Sequence, residues 1–327
     1  MRVYIIGAGA VGTYLGDLLQ SINVEVTYAP REIERVTPVD ADVAIVAVKA
    51  YDTDSAVETL RKALAYPEKC VFVSPQNGVG NEEKLAAAFG QDNVVAAALT
   101  TPVDRARENG HGRATTTKEG GLALSPMGGS AYNWLVATFG SAGIKVQVVD
   151  DWRSLKWSKL ALNIVANATC AILNVLPNRL VHFEEIFTLE IRAIREVRNV
   201  MQAMNITPID LPRYPVRALQ GIATLPSPIA KRLLAGRVAG ARGTKAPSLL
   251  MDLRAGKAQT EVDYLNGAVA CAGRDHGVPT PVNAVYSRVL EDIAHMPQLW
   301  AKYRERPDTL AAEVEAEVVR VKALART

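Results

Sequence analysis

Lys159, Asn163 and Asn167 recur every four residues within Trp157-Ser-Lys-Leu-Ala-Leu-Asn-Ile-Val-Ala-Asn167. At 3.6 residues per turn they share one face of a helix. The residues between them, Leu160, Ala161, Leu162, Ile164, Val165 and Ala166, are apolar, and a helix that is apolar on its other faces is mostly buried. A buried lysine and two buried amides need partners. The stripe therefore reads either as the lining of a cavity or as a structural row of hydrogen bonds. In a cavity, burial lowers the lysine pKa toward the range where the ammonium releases a proton to a developing alkoxide.

A second set of candidates lies about ninety residues on, in Ser248-Leu-Leu-Met-Asp-Leu-Arg-Ala-Gly-Lys-Ala-Gln-Thr-Glu261-Val-Asp263-Tyr-Leu-Asn-Gly267. Pro247 suits the first turn of a helix, which leaves Ser248 at its start, with hydroxyl and backbone N–H available to an anion. The pattern predicts one continuous helix that carries Glu261 nearly four turns further. By spacing alone, Glu261 and Asp263 are acids on a solvated amphipathic face.

The third set opens the chain. A short apolar run, Met1-Arg-Val-Tyr-Ile-Ile6, leads directly into Gly7-Ala8-Gly9-Ala10-Val11-Gly12. This is a GxGxxG at the mouth of a first strand: Gly7 for the tight turn, Gly9 for close approach of a pyrophosphate, Gly12 for packing of the next helix on the sheet. The helix from Ala10 to about Gln20 aims its free N–H groups at the phosphates. The ribose end is read from the second strand, which runs out through Tyr28-Ala-Pro-Arg31. An Asp or Glu there would select NAD, whereas the planar fork of Arg31 suits a 2′-phosphate. The expected cofactor is NADPH/NADP; an ordinary solvated loop, with Glu32 and Glu34 flanking Arg31, is the alternative.

These groups need a frame to hold them. Val24–Tyr28, Asp42–Val48, Cys70–Ser74 and Val94–Ala98 read as short strands separated by helical segments, the βαβ pattern of a parallel sheet. Gly121–Ser125 and Lys145–Val149 extend it. From Trp152 the periodicity is helical, around 155–173, 183–204, 248–273 and 283–295, while 205–247 is rich in Pro and Gly and predicts loops with one or two short helices. The expected fold is α/β: an N-terminal Rossmann-type doubly wound sheet over 1–150 and a C-terminal all-helical domain over 151–327. Residues 308–323, with Leu310, Val314, Val318 and Val321, predict a terminal amphipathic helix docked on the core.

Composition narrows the classes. The 327 residues are 49% hydrophobic with a formal net charge of +3, enough for a globular core and without the basic run that would argue for nucleic acid. Cys70, Cys170 and Cys271 form no metal-ligand spacing and read as buried thiols in a reducing compartment. No signal-peptide core or membrane-length apolar run is present, so the expectation is a soluble cytoplasmic protein without metal or membrane partner.

The chain resembles the ketopantoate reductase family, the NADPH-dependent 2-dehydropantoate 2-reductases, over residues 1–295. The resemblance rests on Gly7–Gly12, Val48-Lys-Ala-Tyr51, Gln76-Asn-Gly78, the 157–167 segment, and 260–267 followed by Gly277-Val-Pro-Thr-Pro281. It implies an active site in the cleft between a Rossmann and a helical domain, with a small 2-oxo acid as partner. Lys159 matches the family's catalytic lysine and Glu261 its acidic partner, which binds the substrate hydroxyl or the cofactor ribose. Asn163 and Asn167 match substrate-binding asparagines, and Ser248 a serine that holds the substrate carboxylate. Lys49 and Asn77 match residues on the ribose and nicotinamide side. The chain departs from the family in a shorter stretch between Arg31 and Asp42, in Lys245 where an asparagine is usual, in an extra residue before Pro177-Asn178, and in the terminal helix. The implied reaction is reduction of ketopantoate to pantoate, in pantothenate and coenzyme A biosynthesis. Another 2-oxo acid, or a non-catalytic NADP-binding role, stands as the alternative, and a homodimer is left open.

Overall fold

The computed structural model describes residues 1–327 except 31–36, 109–110, 129–131, 243–244 and 325–327. It separates into two compact units, Met1–Lys159 with Ile209–Tyr214, and Leu160–Pro208 with Pro215–Thr327. The division falls inside a helix, after Lys159, nine residues beyond the change of sequence pattern at residue 150.

The first unit is built on a seven-stranded sheet. Its strands are β1 (Arg2–Ile6), β2 (Glu25–Tyr28), β3 (Val43–Val46), β4 (Val71–Ser74), β5 (Val94–Leu99), β8 (Leu122–Pro126) and β9 (Val146–Val148), in the order β2-β1-β3-β4-β5-β8-β9. Helices α1 (Ala10–Ser21), α2 (Thr53–Ala63), α3 (Asn81–Phe89) and α4 (Asn133–Ser141) cover it. Side chains alternate across the strands. Val3, Ile5, Val43 and Ile45 pack with Leu15 and Leu19 of α1 and Leu135 and Phe139 of α4. Tyr4, Ile6, Ala44 and Val46 pack with Leu60 of α2 and Leu85 of α3 on the other face. Strands buried on both faces read as unbroken apolar runs, which is why the doubly wound sheet was legible.

The strands through β5 pair parallel, as the βαβ pattern predicts. The extension does not, because β5 and β8 pair antiparallel, Ala97 opposite Leu124. Parallel neighbours need a crossover helix. Here the connection is instead a hairpin, β6 (Val103–Glu108) and β7 (His111–Thr116), with its own two-stranded ladder.

Helix α5 (Trp152–Ile164) leaves the sheet unit. Asp151 starts it, its carboxylate accepting the Arg153 and Ser154 N–H groups at 3.1 Å, which satisfies donors that the first turn leaves unpaired. The returning segment Ile209–Tyr214 belongs with this unit: the Ile209 N–H donates to Ser158 Oγ at 2.9 Å, and Gln147 Nε2 to the Asp210 carbonyl at 2.9 Å.

The second unit, among the described residues, is helical. It holds α6 (Ala168–Leu173), α7 (Pro177–Leu180), α8 (Glu184–Ala203), α9 (Val216–Thr224), α10 (Ser227–Arg242), α11 (Ser248–Arg254), α12 (Asn266–Asp275), α13 (Pro281–His295), α14 (Trp300–Tyr303) and α15 (Pro307–Leu324). The stretch expected to be mostly loop contains α9 and the 16-residue α10. Helix α8 buries Ile186, Leu189, Ala193, Val197 and Val200 at three- and four-residue spacing, the stripe of a helix facing a core. Its Glu196 carboxylate accepts the Val282 and Asn283 N–H groups at 3.0 Å and so caps α13. Burial pushes that carboxyl up to about 7 against these donors. Helix α15 docks through Leu310, Val314 and Val318 as its spacing predicted. Two of the cysteines are buried, but Cys271 is exposed, contrary to expectation. No helix among the described residues is long and apolar enough to cross a membrane.

Candidate active site

In the sheet unit the order around β1 sets the geometry. The chain passes from β1 to β2 on one side and then to β3 on the other, and ligands of open α/β sheets bind at the carboxyl ends of strands where the order reverses in this way. Three loops leave adjacent strands at that edge: Gly7–Gly12 after β1, Ala47–Lys49 after β3, and Pro75–Gly80 after β4.

The three glycines of the first loop differ in what surrounds them. Gly7 has φ +101°, and a Cβ there would stand 2.5 Å from the Ala47 carbonyl carbon, so the two loops touch only because it has no side chain. A Cβ on Gly12 would overlap the Gly7 carbonyl oxygen and press on Ala47 Cβ at 3.2 Å, where α1 meets the sheet. Around Gly9, by contrast, a Cβ would meet nothing within 4 Å. The backbone is open to an approaching group there, beside the start of α1, whose N-terminus has no side-chain cap and no acid in its first turn. Together these fit an anionic dinucleotide. Gly9→Ala is therefore expected to keep the parent's thermal midpoint while weakening dinucleotide binding by roughly tenfold or more, about 1.4 kcal/mol. Gly7→Ala is expected to destabilise the fold itself by about 1–3 kcal/mol, the range for a strained backbone position. Calorimetric melting beside fluorescence titration with NADPH checks both.

At the second strand, Tyr28 ends β2 and its ring lies over Gly16, where a Cβ would overlap the phenol oxygen. Burial, with Asp17 adding to it, raises the Tyr28 pKa. Ala29 and Pro30 follow and carry no acid. Arg31, the expected 2′-phosphate ligand, lies outside the described residues.

The Pro75–Gly80 loop is held by a buried polar network. Gln76 Nε2 donates to the Val48 carbonyl at 3.2 Å and to Thr53 Oγ1 at 2.9 Å, tying the loop after β4 to the loop after β3 that carries Lys49. The Thr53 hydroxyl contacts Asn81 Oδ1 at 2.9 Å, and Asn81 Nδ2 donates to the Asn77 carbonyl at 3.2 Å. Gly78 and Gly80 take positive φ within the turn. Beneath it Lys156 of α5, 1% exposed, donates to the Gln76 carbonyl at 2.6 Å and pairs with Glu82 Oε1 at 2.8 Å. Ser74 Oγ donates to the same oxygen at 2.5 Å. Glu82 Oε2 is buried with no hydrogen-bond partner. Lys156 stands three residues before Lys159, so this pair fixes the helix on which Lys159 is carried. Neither Lys156 nor Glu82 was singled out from sequence. The signal was a lysine framed by Leu155 and Trp157 in an apolar helix and an acid following Gln-Asn-Gly-Val-Gly-Asn.

In the helical unit the expected helix through Lys159, Asn163 and Asn167 is broken. Helix α5 stops at Ile164, Ala166 adopts φ +52°, and Asn167 becomes the cap of α6. Asn163 keeps its place on α5, half-buried, whereas Asn167 leaves the common stripe. Its Oδ1 accepts the Leu249 N–H at 3.2 Å, and its Nδ2 stands 3.5 Å from Ser248 Oγ. Two candidates from segments 81 residues apart are thereby brought together. Ser248 is the first residue of α11, as expected.

The helix expected to carry Glu261 is also interrupted. It ends at Arg254, Gly256 takes φ +68°, and Glu261 lies in the connection before a short turn at Val262–Tyr264. Glu261 is 3% exposed, not a member of a solvated face. Among the described residues no cluster of His, Cys, Asp and Glu could hold a metal ion.

Similarity to known proteins is extensive. Residues 22–129 match the family Ketopantoate reductase PanE/ApbA, and residues 151–294 match Ketopantoate reductase PanE/ApbA C terminal. The 2-dehydropantoate 2-reductase of Archaeoglobus fulgidus is 30% identical over 307 residues, covering 86% of this chain and 94% of that protein. The crystal structure of a PanE/ApbA family ketopantoate reductase from Ralstonia eutropha JMP134 superposes with a TM-score of 0.73 at 28% identity, covering 91% of this chain and all of that one. D-mandelate dehydrogenase in complex with NADH shares the fold, with a TM-score of 0.72 at 19% identity over 90% of this chain and 99% of that one. With a glycine-rich loop at the strand-order reversal, family matches over residues 22–129 and 151–294, and a relative 30% identical over most of both chains, the chain belongs to the ketopantoate reductase family of nicotinamide-dependent oxidoreductases.

Proposed function

We propose that this chain reduces a small 2-oxo acid to the 2-hydroxy acid with NADPH, and that the acid is 2-dehydropantoate (ketopantoate), reduced to pantoate. The observation that carries the substrate class is the meeting of Asn167 and Ser248, an amide and a hydroxyl at the start of α11. The name of the Archaeoglobus fulgidus relative supports the specific acid. In this reading residues 1–150 bind the cofactor and 151–327 supply the substrate groups.

The nicotinamide, when bound, supplies a hydride. Backbone N–H groups of Gly7, Ala8, Gly9, Ala10, Val11 and Gly12 hold the pyrophosphate, Lys49 and Asn77 meet the ribose and nicotinamide side, and Arg31 pairs with the 2′-phosphate. Lys159 stabilises the negative charge that builds on the carbonyl oxygen and gives that oxygen its proton. Glu261 holds the substrate hydroxyl or the cofactor ribose. Asn163 and Asn167 hold the substrate, and Ser248 its carboxylate.

The test is an NADPH-oxidation screen across 2-oxo acids that includes ketopantoate, with a phenyl-bearing 2-oxo acid and NADH added because D-mandelate dehydrogenase shares the fold. The highest kcat/KM is expected with ketopantoate and NADPH. Turnover of no 2-oxo acid would favour a non-catalytic dinucleotide-binding role. Arg31→Ala is expected to raise the KM for NADPH and leave that for NADH nearly unchanged; equal loss with both rejects Arg31 as the 2′-phosphate ligand.

A further inference from the structure

The break between α5 and α6 has no proline or glycine to cause it. Val165-Ala166-Asn167 contains no residue that forbids a helix, yet Ala166 is fully buried and left-handed, a conformation that an L-residue with a Cβ adopts at a steric cost. The constraint comes from Glu190 on α8. Its carboxylate is 2% exposed, Oε2 accepts the Ala166 N–H at 2.6 Å, and Oε1 accepts the Thr169 hydroxyl at 2.8 Å. A backbone N–H that an unbroken helix would give to a carbonyl four residues back is given instead to a side chain. The turn that follows leaves Asn167 bonded at Leu249 and Ser248.

We infer that Glu190 is a positioning residue for substrate binding: its buried carboxylate holds Ala166 left-handed and so directs Asn167 at Ser248. The inference rests on the reading that Asn167 and Ser248 bind the 2-oxo acid. Glu190 lies on another helix than either, and its carboxylate reaches them through the Ala166 backbone and the neighbouring Thr169 hydroxyl.

Glycine takes the left-handed conformation without cost, which separates this role from a general contribution to packing. The experiment uses the full chain with ketopantoate and NADPH in steady-state kinetics. Glu190→Gln keeps the shape but gives the Ala166 N–H a neutral amide oxygen in place of a charged one, its NH₂ turning to the Thr169 hydroxyl, so it is expected to raise the KM for ketopantoate about tenfold, a 1.4 kcal/mol loss, while the KM for NADPH stays at the parent value. Ala166→Gly alone is expected to hold the parent KM. In the double variant, Ala166→Gly is expected to restore most of the ketopantoate KM lost in Glu190→Gln. A merely structural carboxylate predicts a lower melting temperature with no recovery of KM by the glycine, and that outcome overturns the inference. If Glu190→Gln does not fold, Glu190→Asp, which withdraws the carboxylate by one methylene, carries the same cycle. Asn167→Ala separates the two levels. A raised ketopantoate KM in Asn167→Ala beside an unchanged one in Glu190→Gln overturns the positioning role alone. An unchanged KM in Asn167→Ala overturns the substrate reading and the inference with it.

Discussion

Lys159→Ala is expected to lower kcat by roughly 100-fold or more, the range for losing a general acid, with NADPH affinity close to that of the parent. Hydride arrival at a ketone leaves negative charge on oxygen, and an ammonium beside it both stabilises that charge and supplies the proton. No other residue in the proposed set combines positive charge with a transferable proton at the substrate. Lys49 is assigned to the cofactor side, and Lys156 is committed to the Gln76 carbonyl and Glu82. The half-buried position of Lys159 on α5, one turn after a helix segment fixed by a buried ion pair, suits a group held in place yet reachable. Single-turnover kinetics with the best 2-oxo acid, beside NADPH titration by fluorescence, separates chemistry from binding. A variant that keeps most of its turnover makes Lys159 a structural cation.

What could be read from the sequence followed from local signals, and what could not came from distant ones. The strands of the sheet declared themselves because Ile5, Ala44, Ile45 and Phe72 lie in short, wholly buried runs bounded by turns. The hairpin β6–β7 did not, since Val103-Asp-Arg-Ala-Arg-Glu108 is rich in residues that strands disfavour. Ser248 was placed correctly because Pro247 marks a first turn. The interruption before Glu261 had a local signal, Ala255-Gly256, of the kind that ends helices. The break at Ala166 had none, because the carboxylate that causes it belongs to a residue 24 positions away. Asn167 thus leaves the helical stripe that drew attention to it and caps α6 instead. Lys156 went unnoticed because its partners, at Gln76, Glu82 and Ala97, come from the loop after β4, α3 and β5 and meet it only in the fold.

That ion pair carries the largest expected effect on stability. Lys156 and Glu82 are 1% and 0% exposed, and Nζ to Oε1 is 2.8 Å. Two charges so deeply buried gain little net stability from each other relative to apolar neighbours, but removing either strands the other without water. Lys156→Met should therefore cost about 3–5 kcal/mol, and Glu82→Leu a similar amount. The double variant should lose distinctly less than the sum, because no uncompensated charge is left behind. Denaturant midpoints of the four proteins measure the coupling, and additive losses would show that the pair is not a unit. Activity should not follow stability. Lys156 also donates to the Gln76 carbonyl, one residue before Asn77, and methionine has no donor to offer there. The double variant is thus expected to recover folding while retaining a raised KM for NADPH. Stability returning without cofactor affinity would assign the lysine two separable tasks, neutralising a buried acid and fixing the turn that carries Asn77. Their joint recovery would leave it only the first.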